Sequence, residues 1–171
     1  MSAPHSTRIQ ASATAFKTAA ESFVSSLERL SDDSAAVQPK EGGWTPAQIG
    51  MHLALSNELF AGILSGAVPM AQPAPAEFAE DAQVFSRIPN KITTFPSLVP
   101  PDGVKRGEAL DRLRRANAQL VAAIEGLQPD RAASQCVQLP FGTVSLYQFA
   151  DFAGAHMLRH TAQLQRTLAS A

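Results

Sequence analysis

Phe16, Ala20, Phe23, Leu27 and Leu30 recur at steps of three and four, the interval that keeps side chains on one face of an α-helix. The pattern predicts a first helix over residues 7–30, stopped by the polar run Ser31, Asp32, Asp33 and Ser34. A second helix begins sharply. Thr45 suits an N-cap, Pro46 the first helical position, and Gln48, three residues after Thr45, completes a capping box. Its inner stripe runs Ile49, His52 or Leu53, Ser56, Leu59 or Phe60, and Ile63, before Gly66, Val68 and Pro69 end it. The third helix, residues 106–127, carries the seam Leu110, Leu113, Asn117, Leu120, Ile124 and Leu127. Asn117 either sets register there or reaches a buried polar group. The fourth starts after Ser145, again with a capping-box partner at Gln148, and runs toward Leu168. Its seam is Leu146, Phe149, Ala153, His156, His160, Gln163 or Leu164, and Thr167, so two histidines hold places usually given to Leu or Phe.

Between the second and third helices, residues 68–107, the periodicity breaks. Seven prolines from Pro69 to Pro101 forbid a long helix, and only residues 76–86 suit a short one. Phe85, Ile88, Ile92, Phe95, Leu98 and Val99 predict that this crossover packs down onto the bundle. The expected fold is all-α: a four-helix bundle running up-down-down-up, with the Pro-rich crossover joining parallel helices two and three. The shorter breaks after helices one and three suit antiparallel neighbours. One domain spans residues 1–171, with residues 1–6 as a loose tail.

A chain of 171 residues, 45% hydrophobic and 17% charged, can bury a core without staples. A net charge of -1 provides no field for a nucleic-acid backbone, and Arg112, Arg114 and Arg115 read as a solvated helix face. The segment MSAPHSTRIQASATAF has no long apolar stretch, and no apolar run is long enough to cross a bilayer, so the expectation is a cytoplasmic protein without membrane contact. Cys136 is the only cysteine and falls in an expected loop, where it reads as a packed or bland thiol.

The histidines change the picture. His156 and His160 are one helical turn apart, so their imidazoles share a face, and His52 stands on the inner stripe of helix two. Three imidazoles from facing helices would form a three-nitrogen metal site with one coordination position open. The pattern HExxH is absent, so the glutamate base of a zinc peptidase is missing. Gln48, Gln163, Asp151 and Glu58 are the candidates for orienting the imidazoles. His5, in the tail, is left out of the site.

The segment GGWTPAQIGMHLALSNELF resembles the second helix of the DinB-like superfamily. FGTVSLYQFADFAGAHMLRHTAQLQR is similar to that family's last helix, and RIPNKITTFPSLVPPDG to its crossover. The resemblance implies a commonly dimeric four-helix bundle in which His52, His156 and His160 hold a divalent metal, nickel or zinc. Relatives include bacillithiol-dependent thiol transferases and mycothiol-dependent isomerases, and the family implies no DNA chemistry for this chain. The expected function is therefore that of a metal-dependent thiol S-transferase, which activates a low-molecular-weight thiol against a small-molecule substrate. A metal-dependent hydrolase and a non-catalytic metal-binding or stress-response bundle stand as alternatives. No catalytic side chain is assigned, because the activated thiol or water takes the place of a protein nucleophile.

Overall fold

The computed structural model describes residues 4–89 and 94–170. Four long helices carry the architecture: α1 (His5–Glu28), α3 (Pro46–Ser65), α4 (Arg106–Glu125) and α6 (Leu146–Ala169). Two short helices, α2 (Asp32–Ala35) and α5 (Pro129–Ser134), sit in the connections. The fold is mostly helical but not all-α. A small antiparallel sheet in the order β1-β2-β3 joins Gln72–Pro73, Gln135–Leu139 and Gly142–Ser145.

Both capping boxes form. Thr45 and Ser145 accept from the backbone N–H of Gln48 and Gln148, whose side chains reach back to the cap residue's N–H. These local bonds satisfy donors that a helix start otherwise leaves bare, and they explain why both starts were legible. The end of α3 combines a local signal with a distant one. Gly66 adopts a left-handed conformation (φ 85°), and Arg131 of α5 donates to the freed carbonyls of Ile63 and Leu64.

The predicted stripes are the core. Phe16, Phe23 and Leu27 of α1 are fully buried against Ile49, Leu53 and Ile63 of α3, Leu113, Leu120 and Ile124 of α4, and Phe149 of α6. Asn117 is half-buried and accepts from the fully buried Asn57, so it reaches a polar group inside the bundle. The helix contacts form a ring, α1 beside α4, α4 beside α3, α3 beside α6, and α6 beside α1. Helices joined by the shorter breaks thus face each other across the bundle instead of lying side by side. Where α1 does meet α3 the approach is close: a Cβ on Gly50 would stand 2.7 Å from Leu27 Cδ2.

Several sequence expectations need correction. His5 is the first residue of α1, so the chain is already ordered inside the supposed tail; residues 1–3 lie outside the described ones. Residues 76–86 form no α-helix; the helical part is the 3₁₀ segment Val84–Arg87. Phe85, Ile88 and Leu98 do pack down, whereas Phe95 and Val99 are about half exposed, at 54% and 48%. Ile92 lies outside the described residues. Cys136 is buried in β2 rather than looped out, because Val137 and Val144 pair across a hairpin closed by Leu139 and Gly142. No helix among the described residues is long and apolar enough to cross a membrane.

Candidate metal centre

His52, His156 and His160 converge between α3 and α6. One nitrogen from each ring lies within 4.8 Å of the other two. Their ring centroids are 4.5 Å apart for His156 and His160, 4.7 Å for His52 and His160, and 5.4 Å for His52 and His156. The α-helical period sets the first of these separations. Packing of α3 on α6 sets the others, with Phe60 meeting Phe149 about two turns beyond His52.

Two of the rings are held from behind. His52 Nδ1 is 2.8 Å from the carbonyl of Leu98, in the 3₁₀ turn Pro96–Leu98 of the crossover. A carbonyl only accepts, so Nδ1 carries the proton and Nε2 keeps a lone pair. His160 Nδ1 donates likewise to Gln163 Oε1 at 2.7 Å, which leaves its Nε2 bare. That Nε2 is 3.1 Å from His156 Nε2. His156 Nδ1 is buried and has no partner among the described residues.

His156 therefore has two ways to carry its proton, and neither is comfortable. With the proton on Nε2 it donates to His160 and strands a buried lone pair at Nδ1. With the proton on Nδ1, two lone pairs face each other across 3.1 Å. A cation shared by the Nε2 atoms removes that second conflict. Ligand nitrogens about 2.0–2.1 Å from one tetrahedral-like ion stand roughly 3.0–3.4 Å apart, and the His156–His160 pair, at 3.1 Å, already has that spacing. The donor set, three neutral imidazoles, is one that zinc and nickel accept.

Burial keeps the rings neutral. Desolvation pushes His156 far below the ordinary imidazole range, helped by the neighbouring His160 and His52. Desolvation also lowers His160, to about 3, with the nearby His52, Arg159 and Arg166 contributing and the Gln163 bond opposing. His52 is lowered by burial and partly restored by its bond to Leu98. Neutral imidazole is the form that binds a metal.

The three rings open onto a cavity of about 530 Å³. Trp44, tilted over the His52 ring at 4.7 Å, forms one wall, and Phe60, Phe141 and Phe152 form another. The β2–β3 hairpin brings Phe141 there, and the crossover brings Ile88 and Leu98. None of the described residues lining the cavity is an Asp, Glu or Cys.

Of the orienting residues read from sequence, Gln163 holds an imidazole and the others are engaged elsewhere. Gln48 caps α3 and reaches the carbonyl of Pro101, Glu58 pairs with Arg112, and Asp151 accepts from Ser12. His5 bonds Tyr147, away from the three. The Leu98 carbonyl escaped the sequence reading, since a backbone oxygen in a proline-rich crossover carries no signature of its own.

No curated protein matches the chain. A family model does, over residues 15–164, a span that takes in all three histidines, the crossover and the greater part of every long helix. On that match and this arrangement of helices, the chain belongs to the DinB superfamily.

Proposed function

We propose that this chain is a metal-dependent thiol S-transferase-like enzyme in which His52, His156 and His160 hold one divalent cation, nickel or zinc. The observation that carries the reading is the convergence of three neutral imidazoles on a cavity with no carboxylate or cysteine among its described lining residues. When bound, such a cation lowers the pKa of a small thiol that shares it and favours thiolate near neutral pH. The chain's own residues position and enclose. Leu98 and Gln163 fix two imidazole planes and leave their Nε2 lone pairs facing outward. Phe60, Phe141 and Phe152 keep water from one side of the reacting groups. The thiol proton would leave to solvent, since none of the described residues lining the cavity is a carboxylate that could take it.

The same absence weighs against hydrolysis. An attacking water needs a general base within hydrogen-bond reach. Glu58, the base candidate the sequence offers, is held by two bonds from Arg112, at 2.8 and 2.9 Å, and does not line the cavity. The hydrolase therefore stays second, and the non-catalytic bundle third.

The remaining parts of this reading are a single domain of up-down-down-up helices, acting in the cytoplasm as a homodimer. Support for the helix directions comes from ordered contacts. His5 with Tyr147 and Ser12 with Asp151 run the same way along α1 and α6, and Lys17 with Glu125 and Glu28 with Arg114 run oppositely along α1 and α4.

The test is a titration of the cobalt- or nickel-loaded protein with 2-mercaptoethanol and cysteine, followed by absorption. A sulfur-to-metal charge-transfer band that saturates with thiol is expected. A loaded protein whose spectrum ignores every thiol would overturn the transferase reading in favour of its rivals.

A further inference from the structure

One edge of the cavity carries positive charge that thiol activation does not require. Arg159, Gln163 and Arg166 follow one another on α6 at steps of four and three, and all three line the cavity beside His160. Arg159 is anchored there by donating to the carbonyl of Pro89 at 2.9 Å. Arg166 is exposed and has no acidic partner among the described residues. With no described carboxylate in the lining, the field of two guanidinium groups is focused into a space walled by aromatic rings.

Such a wall suits one kind of ligand. Pockets that are mostly apolar orient their occupants through a few placed polar groups, and arginine pairs with carboxylate through two parallel bonds. Along α6 the order is Phe152, His156, His160, Arg166. A molecule seated between the ring end and the arginine end therefore passes the imidazoles.

We propose that the small-molecule substrate of this site is an aryl-type carboxylate, its acid group held by Arg166 and Arg159 and its planar apolar body against Phe152 and Phe141. The assignment deepens the thiol-transferase reading and rests on it for the word substrate, but the binding itself does not require the metal.

Trp44 is the chain's only tryptophan and lines the same cavity, so its fluorescence reports occupancy. The experiment titrates the full chain, metal-free and zinc-loaded, with 3-phenylpropionate and with its neutral isostere 3-phenylpropanamide. The carboxylate is expected to bind about tenfold more tightly than the amide in both forms. Arg166→Gln, at an exposed position, narrows that ratio about threefold, and the double variant with Arg159→Gln abolishes it. Equal binding of the two probes, or no binding of either, overturns the proposal. So does a preference confined to the zinc-loaded form that survives both substitutions, because the ion alone would then hold the acid. Zinc uptake is measured separately. A preference in metal-free protein that takes up no zinc upholds the arginine site while the metal reading fails, and zinc uptake without a preference does the reverse.

Discussion

At the start of α6, His5 meets the Tyr147 hydroxyl at 2.6 Å, Arg8 lies over the Tyr147 ring and grips Glu80 through two 3.0 Å bonds, and Ser145 and Ser12 donate to Glu80 and Asp151. Further along the same helix, His156 Nδ1 is buried with no partner among the described residues, and His160 Nε2 faces the other ring nitrogen, His156 Nε2. The two regions use similar residues, and they differ in what is left over. In the first, each named donor finds an acceptor within the chain, and the result is a clamp joining α1, the crossover and α6. In the second, three imidazoles of the same chemical kind can supply lone pairs but few protons, and the deficit is a positive charge. Buried polar groups that satisfy one another stabilise; those that share one deficit select a ligand.

The sharpest way to break this contrast is to remove one imidazole. His156→Ala is expected to lower zinc affinity by more than about 100-fold, beyond the range seen for loss of a supporting partner. Metal analysis of protein purified without a histidine tag checks it, and equal stoichiometry in both proteins would end the three-histidine site. Gln163→Ala removes only the acceptor behind His160, so zinc binding should weaken by about 10- to 100-fold while remaining one-to-one, as read by competition with a chelator.

Acid separates the two regions further. In the metal-free chain the three imidazoles stay neutral when folded and take up protons on unfolding, because burial lowers each below the ordinary value of about 6.5. Their contribution to stability is full above that pH and is lost progressively as pH falls toward about 3, where His160 titrates in the folded chain. Asp151, raised by burial, acts in the opposite sense: its contribution is present in acid and fades as pH rises through its folded pKa. Thermal melts of metal-free protein should therefore fall between pH 7 and 4, and His160→Gln should flatten the slope. A melting temperature independent of pH over that range would mean the rings are solvated.

The smallest effect belongs to the clamp. Ser145→Ala removes an N-cap oxygen and should cost about 1 kcal/mol in denaturant unfolding, with zinc affinity unchanged. A change in zinc affinity there would mean the two regions are coupled and the contrast is overdrawn.

Much of the helical frame was legible because its signals are local. A three-four apolar repeat, a threonine or serine followed three residues later by glutamine, and a glycine past the last turn act within a few residues of themselves. The small sheet escaped because β2 and β3 are only five and four residues long, and one of their pairing partners, Gln72, comes from the far side of the crossover. Helix adjacency escaped too, since loop length limits which helices can meet without choosing among them.

The chain by itself determined that His156 and His160 share a face, because 3.6 residues per turn leaves no other outcome. It also determined that His52 lies on an inward stripe, because the neighbouring apolar residues must leave water. Only the tertiary structure decided that these faces meet at one height, that a carbonyl from the crossover fixes the His52 ring, and that two arginines border the resulting cavity. Those relations depend on the packing of helices distant in sequence, which the periodicity of any single helix cannot encode.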